Sequence, residues 1–138
     1  MRLQKATRCA LFAVLELAQD PARQVSAADI AKKYGISAHH LAKVLRGLAR
    51  AGLVESMRGA GGGYQFSGNA KRVTLYQVIC MFEDIGNQTR GRPEAGDDSA
   101  IGHALGLVLN EIDETVVSTL KSITLTTLLR LMRRTVAE

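Results

Sequence analysis

Tryptophan is absent from this sequence of 138 residues, and aromatic residues make up only 4% of it. A hydrophobic core must therefore be built from Leu, Val, Ile and Ala, and a hydrophobic content of 46% is enough to build one. The charged content of 22% is too low for an intrinsically disordered chain. We expect one domain, or one domain with an appended helix.

Cysteine is scarce as well. Cys9 and Cys80 lie far apart and neither belongs to a CxxC motif, which excludes a disulfide framework and a cysteine-rich zinc site. Both stand in apolar helical stretches, so we interpret them as buried structural thiols. Redox sensing by either thiol stays open as an alternative and would require an exposed, reactive thiolate.

No apolar run approaches the roughly 20 residues that a membrane-spanning helix requires, and no charged-then-apolar leader opens the chain. We therefore expect a soluble, cytoplasmic protein that does not contact a membrane. The sequence pattern also offers no nucleophile paired with a base, no paired carboxylates and no metal-ligand spacing; Asp97 and Asp98 lie in a polar segment. An enzyme is not expected.

Positive charge is concentrated in the first part of the chain. Residues 1–80 hold 12 Lys and Arg against 4 Asp and Glu, whereas residues 81–138 hold 6 against 9. The two net charges, +8 and −3, give the total of +5. A basic module of this kind suits a polyanion such as DNA, although a merely solvated basic surface would give the same balance.

Apolar residues at helical spacing predict three early helices, over residues 3–18, 27–34 and 38–51. Ser26 and Ser37 are placed to cap the second and third helices, and Gly52 follows the third as a left-handed residue. The short turn 35–37 between the last two helices matches a helix-turn-helix.

Strand-like runs at 53–57 and 64–67 flank the glycine-rich segment 58–63, which predicts a hairpin with a bare tip. A phosphate cradle is the competing reading of the glycines. It fails because no Lys-Ser/Thr pair follows them and no helix opens after them.

The third helix carries the functional prediction. Leu41, Leu45 and Leu48 share one side, and the opposite side is cationic, which suits a major groove. We expect base contacts from Ser37, His39, His40 and Lys43, and phosphate contacts from Arg46 and Arg50. Arg58 at the hairpin tip can enter a minor groove. The alternative, a winged-helix module that binds protein, predicts a neutral or acidic third helix.

The second half of the chain predicts three further helices. Thr74-x-x-Gln77 is a capping box for a helix to about Asp84. Residues 86–98 have no apolar residue larger than Ala and predict an exposed, mobile loop. One apolar stripe then marks a long helix that we interpret as a dimerisation element: Ile101, Leu105, Val108, Ile112, Val116 and Leu120. A short helix around 125–132 closes the chain.

The segment VSAADIAKKYGISAHHLAKVLRGLARAGLVESMRGAGGGYQFS resembles the IscR/NsrR/CymR family of bacterial regulators, as do LQKATRCALFAVLELA and VTLYQVICMFED. The resemblance is close over residues 1 to about 85 and architectural beyond. It implies homodimers that bind palindromic operators as repressors or activators, and we expect a repressor. It places DNA contacts at Ser37, His39, His40 and Lys43, and wing contacts in the segment Arg58–Tyr64, with Arg58, Gly59, Gly61, Gly62 and Tyr64.

One departure from the family concerns the sensor. Many members hold a 2Fe–2S cluster through three cysteines in the loop before the long helix, and the loop 86–98 here has none. A cluster held by thiolates needs them, so we expect neither this cofactor nor a metal site. His103 lies close to the position of the third cysteine and stays open as a ligand or sensor.

These observations predict a mainly α fold with a small β-hairpin wing. Residues 1–85 form the winged helix-turn-helix domain, 86–98 the loop, and 99–138 the dimerisation helix with a C-terminal helix.

Overall fold

A computed structural model describes residues 1–59, 62–85 and 93–137 of the chain. The fold is mainly helical with one small antiparallel hairpin, which confirms the expected fold class. The described elements are α1 (Lys5–Ala18), α2 (Ala27–Tyr34), α3 (Ala38–Arg50), β1 (Val54–Met57), β2 (Gly63–Phe66), α4 (Leu75–Cys80), α5 (Ala100–Ser122) and α6 (Leu125–Ala137). Most of the predicted loop, 86–92, lies outside the described residues.

Local hydrogen bonds set the ends of the helix-turn-helix. The Ser26 hydroxyl accepts from the Asp29 amide at 3.1 Å, and the Ser37 hydroxyl accepts from the His40 amide at 3.3 Å. Between them Gly35 ends α2 in the left-handed region at φ 65°. These side chains satisfy amide groups that a helix N-terminus leaves free, so α2 and α3 begin where the sequence predicts.

The core lies between α3 and α1. Leu41, Leu45 and Leu48 of α3 are almost completely buried, as are Val14 and Leu17 of α1. They belong to one cluster of aliphatic side chains that extends to Phe66 on β2 and to Leu125 and Leu129 on α6. The aliphatic core predicted from the composition is therefore present, and α6 contributes to it. The division of the chain at residue 85 stays a prediction.

The wing is fixed to the body of the domain by a backbone bridge. Val54 pairs with Phe66 and Met57 with Gly63 in antiparallel register. Val25, just before α2, exchanges both backbone hydrogen bonds with Tyr64, at 2.9 and 2.8 Å. Gly63 has φ 150°, and a Cβ there would lie 2.7 Å from the Val25 carbonyl oxygen, so only glycine allows this approach.

The end of α4 differs from the prediction. Thr74 caps the helix by accepting from the Gln77 amide at 3.2 Å, but the helix ends at Cys80 rather than near Asp84. The chain continues in a tighter turn, in which the Phe82 amide bonds to the Ile79 carbonyl at 3.0 Å. The apolar periodicity continues through this turn, so the sequence pattern alone does not show where the helix ends.

The C-terminal helices return to the domain. Leu75 donates its amide to the Ile123 carbonyl at 2.8 Å, and Leu125 donates to the Val73 carbonyl at 2.9 Å. This pair of bonds ties the junction between α5 and α6 to the start of α4. Only the last part of α5 is therefore anchored in the core, and its earlier turns project from it with exposed side chains.

Glu16 is a buried carboxylate that joins α1 to α2. Its side chain is 4% exposed and accepts hydrogen bonds from Lys33 at 2.8 Å, Arg23 at 3.1 Å, Tyr34 at 2.5 Å and Gln19 at 3.2 Å. Four donors satisfy both carboxylate oxygens, which a buried charge requires. This cluster fixes the position of α2 against α1, and hence of the turn that leads into α3.

Burial alone would raise the pKa of Glu16, but hydrogen bonds from Lys33, Tyr34 and Arg23, with the charge of Lys33, outweigh it. The pKa of Glu16 is therefore held below its ordinary value of 4.5. Burial and the neighbouring carboxylate together raise the pKa of Tyr34 to about 12. The ionised carboxylate and the neutral phenol are thus the stable pair near neutral pH.

We expect Glu16→Gln to lower the free energy of unfolding by about 2 kcal/mol at pH 7, because it removes charge-assisted hydrogen bonds from a buried site. A pKa that is lower in the folded state adds stability above 4.5, and this stability is lost as the pH falls through the folded-state value. The difference between the two proteins should therefore shrink in acid. Urea unfolding between pH 3 and pH 7 measures it, with Glu111→Gln, an exposed site, as control. An undiminished difference at pH 3 would contradict this assignment.

Candidate nucleic-acid interface

The exposed side of α3 is cationic. Ser37, His39, Lys43, Arg46 and Arg50 are all exposed, on the side away from the buried leucines. Within the part of the chain that the structure describes, no carboxylate lies within ion-pair distance of these cations. Between residues 37 and 67 the sequence holds four Lys and Arg against a single acidic residue, Glu55. This surface attracts a polyanion and leaves its donors free to bind one.

His40 departs from the predicted set. It is half-buried, and its Nε2 atom is buried without a hydrogen-bond partner among the described residues. The helical rotation of about 100° per residue places His40 at the margin of the apolar face, beside Val44. Nε2 is therefore not available to a base edge in this rotamer, and the base contact predicted for His40 stays a prediction.

The wing presents Arg58 at its tip. Arg58 and Gly59 are exposed directly after β1, and Gly59 and Gly62 have φ of 133° and 34°. Gly61 lies outside the described residues. Glycine tolerates these positive φ values because it has no side chain. For the same reason, a nucleic-acid backbone can approach these residues closely. The structure places this tip at the end of the hairpin that follows α3.

Tyr64 is better explained by packing than by DNA contact. Its backbone bridges to Val25, and its half-buried ring packs against the hydrophobic core. The sequence could not distinguish this role, because a tyrosine beside a glycine run fits either a core or a contact position.

The predicted stripe on α5 is exposed over most of its length. Ile101, Leu105, Val108 and Ile112 are 53–82% exposed. Leu109 adjoins them at 42% exposed and was not in the predicted set. Val116 is half-buried, and Leu120 is only 7% exposed because the end of α5 packs against its own chain. Leu120 therefore belongs to the core rather than to a partner-facing surface, which corrects its assignment.

The two cysteines have different surroundings. Cys9 is buried, as expected, but Cys80 is exposed, so the interpretation of both as buried thiols is wrong for Cys80. Helical rotation places Cys80 away from the buried Val78 and Ile79 of α4.

His103 is exposed near the start of α5. Among residues 1–59, 62–85 and 93–137, no helix is long and apolar enough to cross a membrane.

Comparison with known proteins agrees with this geometry. Residues 3–131 match the Rrf2 family, described as an iron-dependent transcriptional regulator. The chain belongs to the Rrf2 family. The HTH-type transcriptional regulator BadM of Rhodopseudomonas palustris is 57% identical over 132 residues, which cover 96% of this chain and 83% of that protein. IscR of Xenorhabdus nematophila is 34% identical, with coverage of 94% and 80%.

Solved structures of the family have the same fold. CymR, the global cysteine regulator of B. subtilis, superposes with a TM-score of 0.78 at 26% identity, covering 95% of this chain and 98% of that one. T. potens IscR gives a TM-score of 0.73 at 26% identity, with coverage of 94% and 87%. The chain is therefore a bacterial-type winged-helix transcription regulator that binds DNA, and it is not an enzyme.

Iron in this Rrf2 chain would need ligands that its residues do not group together. A thiolate-held cluster requires cysteines, yet Cys9 is buried in the core and Cys80 lies on α4. The segment 86–98 before α5 contains no cysteine. In the described parts of the chain, no three His, Cys, Asp or Glu side chains form a group that could hold a metal ion. The donor set does not fit a cysteine-held cluster.

We expect Arg58→Ala to weaken binding about fivefold or more, because the loss of an arginine contact to a base costs about 1–3 kcal/mol. Fluorescence anisotropy on a duplex selected from a random pool measures the change. Arg130→Ala removes the same charge from an exposed position on α6 and serves as the control. Equal affinities for the two variants would remove the wing from the interface.

Proposed function

We propose that this Rrf2 chain is a homodimeric, sequence-specific regulator that binds a palindromic operator in double-stranded DNA. The cationic face of α3, exposed opposite fully buried leucines, is the observation that supports this function best. A recognition helix reads base edges from the major groove, where each base pair presents a distinct donor and acceptor pattern. Ser37, His39 and Lys43, at the N-terminal end of α3, are assigned to bases, and Arg46 to phosphates.

The wing extends this contact to the minor groove. Arg58 follows β1 directly, and the backbone bridge between Val25 and Tyr64 fixes the hairpin against the domain. A guanidinium group on a slender, glycine-rich tip suits a narrow minor groove, where the negative potential is strongest. Gly59, Gly61 and Gly62 are assigned to allow the close approach.

Dimerisation through α5 follows from its exposed stripe. Ile101, Leu105, Val108 and Ile112 lie on one side of the helix, and Leu109 widens the same surface. A soluble monomer rarely leaves an apolar strip of this kind in water, so we assign it to a second copy of the chain. A two-fold dimer presents two α3 helices to DNA, and its operator is then palindromic.

Repression in the cytoplasm is the regulatory outcome that we propose. A dimer that occupies the major groove of a promoter blocks access of polymerase to it. A protein-interaction module is disfavoured, because α3 exposes His39, Lys43, Arg46 and Arg50. Of the residues open to redox or metal sensing, Cys80 and His103 are exposed and Cys9 is not.

We expect Leu105→Asp to convert the protein to monomers, because it places a charge in the apolar interface. The dimer dissociation constant should rise at least a hundredfold, and operator affinity should fall with it. Leu107→Asp is the matched control, because Leu107 is 74% exposed on the other side of the same helix. Sedimentation velocity and anisotropy measure both properties. If the Leu105 variant remains dimeric, the assignment of the dimer interface to α5 is wrong.

We also propose that the regulator works without a 2Fe–2S cluster held by cysteines, since the segment 86–98 lacks them. Protein purified without oxygen should be colourless and should contain no stoichiometric iron or sulfide. Absorption spectroscopy and metal analysis of the anaerobic sample test this expectation. Visible absorption typical of an Fe–S centre, together with bound iron, would overturn it.

A further inference from the structure

Three cations stand together at the start of α1, outside the α3 and wing surfaces. Arg2, Lys5 and Arg8 follow each other at intervals of three residues, and all are exposed. They line one surface groove together with Met1, Leu3 and Gln4. The guanidinium of Arg8 lies 5.5 Å from the ring centre of Phe12, which holds it on the outer face of the helix. We call Arg2, Lys5 and Arg8 the N-terminal cations.

The position of these charges is unfavourable for α1 itself. The N-terminal end of a helix carries partial positive charge and is stabilised by acidic residues, but the first turn of α1 has none. Gln4 caps the helix without a side-chain hydrogen bond. Lys5 and Arg8 also repel one another across one turn. These three cations therefore do not stabilise α1 through its dipole, and their charge suits an external, negatively charged ligand.

The acidic side chain that contacts the start of α1 already has hydrogen-bond partners. The Glu83 carboxylate accepts hydrogen bonds from the Gln4 amide at 2.9 Å and from the buried Thr7 hydroxyl at 2.5 Å. It therefore caps the N-terminal end of α1. Asp84 is exposed next to it. In the described ranges of the chain, no carboxylate lies within ion-pair distance of the N-terminal cations. They remain available to a ligand.

The N-terminal cations adjoin the DNA-facing helix through a short chain of contacts. Glu83, which holds Gln4, directly follows Phe82. The Phe82 ring lies so close to Gly47 of α3 that a Cβ there would approach it to 3.3 Å. Gly47 is the neighbour of Arg46, which is assigned to phosphates. The start of α1 is therefore linked to α3 through Phe82 and Glu83, which follow α4.

We infer that Arg2, Lys5 and Arg8 form a second phosphate-binding surface that grips the DNA backbone beside the segment read by α3. This inference rests on the proposed operator binding and extends it. Contacts to phosphates raise affinity without reading sequence, so this surface strengthens binding to every duplex by a similar factor. The competing occupant is the acidic segment of a second copy, with Glu94, Asp97 and Asp98. The positive charge of this surface, and its link to α3 through Phe82 and Glu83, favour DNA.

The test measures the salt dependence of DNA affinity for matched double variants of the full chain. Lys5→Gln with Arg8→Gln removes two N-terminal cations, and Arg130→Gln with Arg134→Gln removes two exposed cations from α6. Each phosphate contact contributes about 0.9 to the slope of log K against log salt. A dimer of the N-terminal variant has four fewer contacts, so the magnitude of this slope should fall by about 3 to 4. Its affinity should fall by the same factor for selected and for random duplexes. The α6 variant should match the parent.

Arg2→Gln provides a second variant, because Arg2 precedes α1 and its loss cannot unfold the helix. Its slope should decrease by about 2, for two contacts per dimer. If the parent binds its operator and both N-terminal variants keep the salt slope of the parent, this inference is wrong but the proposed function stands. Weaker dimerisation with an unchanged slope would assign the surface to the partner's acidic segment and also overturn it. If the parent itself binds no DNA at low salt, the proposed function fails.

Discussion

Burial of one side of α3 fixes the orientation of every surface that we assign to DNA. Leu41, Leu45 and Leu48 are held in the core against α1, and rotating the helix would expose all three to water. At about 1.5–3 kcal/mol for each buried leucine, such a rotation would cost about 5–9 kcal/mol, which is comparable with the total stability of a small domain. The cationic side of α3 must therefore face outward. The hairpin begins at Val54, only a few residues after the end of α3. The Glu16 cluster positions α2, and with it the turn into α3.

Local signals made most of this architecture predictable. Ser26, Ser37 and Thr74 each cap the helix that the sequence assigned to them, because a capping hydrogen bond depends on residues only three apart. Features that depend on distant contacts were missed. The apolar pattern of α4 runs past Cys80, yet the chain leaves the helix where Glu83 caps α1. Leu120 has the spacing of a partner-facing residue but is buried where α5 returns to its own chain.

The candidate site divides in the same way. The exposed cations of α3 and the wing arginine could be found from spacing alone, since helical rotation separates them from the leucines. The burial of His40 Nε2 depends on packing around the helix margin, which periodicity does not describe. The Rrf2 family is described as iron-dependent, whereas the segment 86–98 of this chain, directly before α5, contains no cysteine. Membership of the family therefore supports DNA binding by this chain, and the absence of an iron–sulfur sensor stays a prediction.

Guanine N7 atoms lie in the major groove, so their protection from methylation reports where α3 sits on the operator. A dimer that inserts two recognition helices should protect two sets of guanines, related by a two-fold axis and separated by about 10 base pairs or a multiple of this spacing. Methylation footprinting on a selected duplex is the most direct test. Symmetric protection that disappears in Lys43→Ala would agree with this account. A single unsymmetrical patch, or binding without any protection of guanine N7, would contradict it.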